Sequence, residues 1–245
     1  MLYTLNAKTA KKINRRYGNV PSPSGLCPRW ILDILKMPHT LIAGTTGAGK
    51  SVLLHSIIDA ILYGHPTARQ MVLIDTKKTE LYRYLDMPHT LMYADTPADA
   101  CSALETVCNI IESRNNLIRS GCPVSQMSDI YVIIDELGDL VLTDRRATAL
   151  LSKIAMIGRS AQVHLIGCTQ NPNRKILSPQ IEGNCPVRVG LRCRNPIESR
   201  QIIGTADAVD LPMYGKAFFV SPEYRTPQLV TVNMVDPTPA MNYWR

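Results

Sequence analysis

The sequence has no closely spaced pair of cysteines. Its seven cysteines, at positions 27, 101, 108, 122, 168, 185 and 193, include no C-x-x-C. Structural zinc sites draw on such pairs, so zinc is not expected. An odd set without framework spacing also fits a reducing cytoplasm better than a disulfide-stapled secreted scaffold. Cys101 and Cys108 share one face of a predicted helix and read as small core residues. Long apolar runs are missing too. The N-terminus lacks the apolar core of a signal peptide, and the most apolar run, 52–63, is broken by His55 and Asp59. A membrane span needs roughly 20 apolar residues, so direct membrane insertion is not expected. The third scarcity is acid. From Arg145 to Arg200 there are ten Lys/Arg but only Glu182 and Glu198, within a chain of formal charge +7. A basic half suits a polyanionic partner, nucleic acid first, although a solvated basic face gives the same count.

What is present begins with size. The 245 residues suffice for one large domain or two small ones. Residues 1–25 read as a basic arm and linker. Lys8, Lys11, Lys12, Arg15 and Arg16 have helical spacing, and Pro21–Gly25 breaks the chain. Such an arm can touch DNA phosphates, a neighbouring subunit or a recruiting protein, although a solvated basic face gives the same pattern. Residues 26–235 form the candidate globular domain. Residues 236–245 form a proline-rich tail expected to be loose or to lie on the surface.

Gly44-Thr45-Thr46-Gly47-Ala48-Gly49-Lys50-Ser51 fits G-x-x-x-x-G-K-[ST], the phosphate-binding loop. A short apolar strand, 41–43, precedes it, and a helix over 52–63 follows. Glycines let successive N–H groups turn inward around a phosphate, and the helix N-terminus adds partial positive charge. Lys50 is placed to reach the β- and γ-phosphates, and the Ser51 hydroxyl to bind Mg2+.

A second stretch, Tyr131-Val-Ile-Ile-Asp135-Glu136, reads as a buried strand ending in two acids. Asp135 suits Mg2+, and Glu136 suits polarisation of an attacking water. An alternative is that Glu136 merely caps the next helix. Strands are also expected at 71–75, 90–93, 163–168, 187–191, 217–220 and 229–232. Helices are expected at 30–36, from Lys77 onward, at 97–119, up to 157 after a basic turn at 144–146, and at 196–203. Alternation with continuously apolar strands predicts an α/β, mostly parallel sheet with helices on both faces. Ligands of such sheets sit beyond the carboxyl ends of the strands, where the phosphate loop, Asp135-Glu136 and Gln170 all fall. Gln170 is a candidate γ-phosphate sensor. Arg159 and Arg200 are candidates for an arginine supplied to a neighbouring subunit's transition state.

These stretches resemble one family. Asp33–Ser51 is similar to the phosphate-loop region of the FtsK/SpoIIIE DNA translocases, including its Lys-Met-Pro-His lead-in. Ile74–Leu81, Pro88-His89, Ile134–Leu140, Gly158–Leu165, Thr169-Gln170 and Asn195–Arg200 resemble later segments of that family in order. The resemblance implies a RecA-like ATPase core that assembles into a ring, hexameric by expectation, and moves double-stranded DNA with ATP and Mg2+. It also implies DNA-facing loops carrying Arg145 and Arg146, then Arg174 and Lys175. Asn171 stands where the family often has arginine. The membrane segments and DNA-orienting winged-helix domain of large members are not seen. A bare motor of a mobile element, for plasmid transfer or DNA packaging, is therefore expected. A protein-secretion ATPase of the same superfamily and a non-motor nucleotide switch are the alternatives.

Overall fold

Two central strands are buried along their whole length, and that decides the layering. In the computed structural model, which describes residues 28–236 and 238–244, every residue of β1 (His39–Ala43) and β5 (Val163–Thr169) is buried. A strand buried on both faces needs helices above and below it. The basic arm, its linker and Cys27 lie outside the described residues.

The order is α1 (Arg29–Lys36), β1, α2 (Lys50–Leu62), β2 (Arg69–Ile74), β3 (Thr90–Ala94), α3 (Pro97–Arg119), β4 (Asp129–Ile134), α4 (Leu137–Thr143), α5 (Arg145–Ile157) and β5. Then come α6 (Pro179–Asn184), β6 (Val187–Gly190), α7 (Pro196–Ile203), β7 (Lys216–Val220), β8 (Gln228–Thr231) and α8 (Thr238–Trp244). The eight strands lie in the order β3-β2-β4-β5-β1-β6-β7-β8. Pairing is parallel from β3 through β6 and antiparallel for β7 and β8. The expected α/β class and mostly parallel sheet are both found.

Each face has its own core. On one side Ile31 and Ile34 of α1, Leu53, Leu54, Ile57 and Ile58 of α2, and Met241 of α8 pack against the sheet. On the other side α3, α4, α5 and α7 contribute Leu104, Val107, Leu140, Leu151 and Ile202. Cys101 and Cys108 are buried in this second core, as their spacing implies. Local signals set the longest helix. Thr96 caps α3 by accepting from the Asp99 N–H at 3.1 Å, Pro97 occupies its first turn, and apolar residues recur every three or four positions.

Three segments differ from expectation. No α-helix opens at Lys77. Instead Asp75 Oδ2 accepts from the N–H groups of Glu80 (3.0 Å) and Leu81 (2.8 Å), and a single 3-10 turn follows at Leu81–Tyr84. Of the expected basic turn at 144–146, Arg145 and Arg146 are already helical, because Asp144 caps α5 through the Arg146 N–H at 2.9 Å. The tail is not loose over its described part. Ala240 and Met241 of α8 are buried, and Trp244 Nε1 donates to the Leu62 carbonyl at 2.7 Å. Apolar residues there gain more by covering the end of α2 than by facing water.

Candidate nucleotide-binding site

β1 ends at Ala43, and the chain turns at Gly44 because nothing larger fits. A Cβ at position 44 would lie 2.7 Å from the Leu191 Cβ. The Gly44 N–H donates to the Thr169 carbonyl (3.4 Å) and the Thr45 N–H to the Arg192 carbonyl (2.8 Å). The loop is thus held between the ends of β5 and β6. Gly47 and Gly49 take φ of +77° and +95°, the left-handed region that L side chains avoid. Among the described residues their N–H groups have no protein acceptor. With the first N–H groups of α2, which lack intrahelical acceptors, they form a cradle for an anion.

Lys50 opens α2 and is only 9% exposed. Its ammonium donates to the Gly44 carbonyl (2.7 Å) and the Thr45 carbonyl (3.1 Å). Burial lowers its pKa, while the nearby carboxylates of Glu136 and Asp135 favour the charged form.

Asp135 follows β4 and is 9% exposed. Burial foremost, then the charges of Asp75 and Glu80, raise its pKa to about 6. Asp75 Oδ1 is buried beside it without a hydrogen-bond partner. A buried carboxylate under like-charge pressure favours a cation, and with the Ser51 hydroxyl the donors are all oxygen, as Mg2+ prefers. The residues present therefore fit MgATP.

Glu136 is the N-cap of α4, its Oε1 accepting from the Gly138 N–H at 3.2 Å. The capping reading and placement beside the phosphate loop are both realised. The Gln170 N–H lies 3.2 Å from each Glu136 carboxylate oxygen. Lys77 Nζ lies 3.5 Å from Glu136 Oε2 and 3.7 Å from Asp139 Oδ2. The Gln170 side chain turns the other way, where its Oε1 accepts from Thr46 Oγ1 at 2.7 Å. Arg194, clamped by Glu198 at 2.9 Å, donates to the Gln170 carbonyl at 3.4 Å. One residue at the end of β5 thus joins phosphate loop and acidic strand end.

Residues 28–122 match the model of the FtsK/SpoIIIE family. This chain carries an FtsK/SpoIIIE-family domain. It is 35% identical over 210 residues to DNA translocase FtsK of Helicobacter pylori, an alignment covering 79% of this chain and 25% of that one. Against DNA translocase FtsK of Clostridium tetani, identity is 33% over 77% of this chain and 28% of the other. The chain thus spans about a quarter of the length of the curated relatives it matches. The pCW3 conjugation coupling protein TcpA, solved in a monomer form with ATPγS, superposes with TM-score 0.76 at 22% identity, over 87% of this chain and 66% of that one. The cytoplasmic domain of the type VII secretion ATPase EccC of Thermomonospora curvata gives 0.69 at 23% identity, over 81% and 25%. These likenesses show the RecA-like P-loop ATPase fold.

The structure brings Gly44 to Ser51, Asp135, Glu136 and Gln170 to one end of the sheet. It places Arg159 elsewhere, in the turn leading into the amino end of β5, opposite its own phosphate loop. Arg200 is exposed in the last turn of α7. Arg145, Arg146, Arg174 and Lys175 are exposed. Arg146 is engaged by Asp144 at 2.8 Å and Glu105 at 3.3 Å, whereas Arg145, Arg174 and Lys175 have no ion pair among the described residues. Sequence reasoning missed Lys77, the Thr46–Gln170 bond and Arg194. The carboxyl-end rule could have found Lys77, which follows β2. Nothing local marks the other two. Among the described residues no helix is long and apolar enough to cross a membrane.

Proposed function

We propose that the chain is an ATP-hydrolysing motor that moves double-stranded DNA. The observation that carries this reading is the double engagement of Gln170. Its side chain holds Thr46 of the phosphate loop, its N–H holds Glu136, and the loop leaving it carries Arg174 and Lys175. A change in phosphate occupancy can thereby reach both the candidate base and a basic loop.

In this reading Lys50, Ser51 and Asp135 bind MgATP, with Gly44, Thr45, Thr46, Gly47, Ala48 and Gly49 forming the cradle. Bound Mg2+ supplies charge neutralisation on the transferring phosphate. Glu136 orients water and takes its proton. Gln170 reports the γ-phosphate. Arg145, Arg174 and Lys175, with Arg146 once released from its acidic neighbours, contact DNA phosphates, so binding is sequence-tolerant and salt-sensitive. Arg159 lies too far from its own phosphate loop to act there. It and Arg200 are suited to a neighbouring copy in a ring, hexameric as in the family reading. A cytoplasmic motor for plasmid transfer or packaging fits best, since a conjugation coupling protein shares the fold. The basic arm suits recruitment by another protein.

The likeness to EccC supports a second reading, a protein-moving ATPase. Steady-state ATPase with and without long double-stranded DNA, at low and moderate salt, separates the two. Several-fold, salt-sensitive stimulation supports the DNA motor. Turnover indifferent to DNA in preparations that form rings moves the assignment to a protein substrate.

A further inference from the structure

We infer that His55 is a positioning residue for ATP hydrolysis, because its bond to Glu80 ties the helix behind the phosphate loop to the acidic ends of the neighbouring strands. This rests on the ATPase reading above and adds to it a group that lies in neither the phosphate loop nor the end of β4.

His55 stands four residues after Ser51 on α2, so the two share a face of that helix, one turn apart. Its Nε2 lies 3.1 Å from Glu80 Oε2, and its Nδ1 lies 2.8 Å from the Tyr84 hydroxyl. The partners fix where the ring carries its hydrogen. An ionised carboxylate only accepts, so Nε2 donates to Glu80 and Nδ1 accepts from the Tyr84 O–H. A neutral ring satisfies both bonds. Burial first, and the charge of Arg83 second, lower the pKa of His55 and favour that form.

Tyr84, His55 and Glu80 have the sequence of a nucleophile, a base and an orienting acid. Tyr84 is 0% exposed, however, so no substrate reaches its oxygen. The trio is a tie between elements rather than a second active site.

What it ties is set by Glu80. The N–H groups of Glu80 and Leu81 hold Asp75 Oδ2 at 3.0 and 2.8 Å. Asp75 follows β2 as Asp135 follows β4, and these strands pair in parallel with Ile74 beside Ile134. Lys77, in the same segment, lies 3.5 Å from Glu136 Oε2. Residues 75–80 therefore grip the acidic strand ends through the main chain and Lys77, and grip α2 through the Glu80 side chain. Lys50 and Ser51 at the start of α2 hold the phosphates, while Glu136 acts on water from β4. The tie sets the distance between those two parts. A displacement there misaligns water and phosphate, which costs rate before it costs affinity.

The test uses wild type, His55→Ala, Glu80→Ala, the double variant and His55→Gln. Each is assayed for kcat and KM of ATP and titrated with ATPγS, with thermal melts to confirm folding. Glu80→Ala keeps the main-chain bonds to Asp75, so it removes the tie alone. Each alanine variant should lose about tenfold in kcat, the scale of one charge-assisted hydrogen bond, with ATPγS affinity within about threefold. The double variant should lose no more than either single one, because both remove the same contact. His55→Gln, whose amide can donate to Glu80, should recover most of the rate. Wild-type kcat in both alanine variants, losses that multiply in the double variant, ATPγS affinity that falls as far as kcat, or a His55→Gln variant no faster than His55→Ala overturns the assignment and leaves the ATPase reading intact. Wild-type protein without ATPase turnover overturns both.

Discussion

The main-chain N–H of Gln170 lies 3.2 Å from both carboxylate oxygens of Glu136, although the two residues are 34 positions apart. The same residue's side chain accepts from Thr46 at 2.7 Å. Main-chain and side-chain bonds of one residue can therefore be separated by mutation. Gln170→Ala keeps the first and removes the second. Basal ATPase is expected to fall by roughly threefold to tenfold, on the scale of one lost hydrogen bond. Stimulation by DNA should be largely abolished. A variant that keeps full DNA stimulation would remove Gln170 from the coupling path.

Glu136→Gln should retain ATP binding and lose about 10²–10⁴-fold in kcat, the usual contribution of a positioned general base. Glutamine is isosteric and retains an oxygen able to accept from the Gly138 N–H, so the α4 cap survives. Turnover close to wild type would mean that another group activates the water.

Lys77 is the only cation within ion-pair distance of Glu136 among the described residues, at 3.5 Å. It also neighbours Asp139, so it ties the loop after β2 to the end of β4 and to α4. Lys77→Ala is expected to lower kcat about tenfold with KM for ATP within about threefold, because the lost contact orients the proposed base, Glu136, rather than the nucleotide. Lys77→Arg should recover most of the rate. A change confined to KM would instead place Lys77 on the nucleotide.

Gly44→Ala adds a Cβ 2.7 Å from the Cβ of Leu191, which has no rotamer to move away. The phosphate loop must shift from β6. Nucleotide affinity should drop more than tenfold, with a loss of stability of about 1–3 kcal/mol from overpacking. Isothermal titration with ATPγS and a thermal melt read the two effects separately.

Asp59, on α2, supplies a pH test. Burial first, and the Asp236 carboxylate second, raise its pKa to about 7. The folded state therefore holds this proton more tightly than the unfolded chain does. Its contribution is most favourable below the usual carboxylate range and is lost as pH rises toward 7. Asp59→Asn stays neutral at every pH. Its melting temperature relative to wild type should climb by several degrees between pH 5 and pH 8, at about 2–4 °C per kcal/mol for a chain of this size. A constant difference across that range would show that Asp59 does not titrate there.

The sequence by itself determined whatever depends on neighbours within a few residues. The glycines at 44, 47 and 49, the Lys50-Ser51 pair, the apolar strand before Asp135-Glu136, and the Thr96-Pro97 start of α3 carry their own geometry in short windows. So the sheet, most of its helices and the phosphate cradle were legible. Where local rules compete, the reading failed. Lys77–Glu80 looked like a helix start until the buried Asp75 carboxylate took the N–H groups of Glu80 and Leu81. Residues 238–244 were expected to be loose or to lie on the surface, and their anchoring was not legible because their apolar partners belong to α2, far back in the chain.

Only the tertiary structure decided which strand ends are neighbours. The order β2-β4-β5-β1-β6 is not the chain order, and it alone brings Gln170 to Thr46, 124 residues away, and Lys77 to Glu136. It also sends Arg159 to the opposite end of the sheet and puts Arg192 against the phosphate loop. Periodicity encodes which face of a strand is buried. It does not encode which strand lies beside it, because that choice rests on burying two whole faces at once.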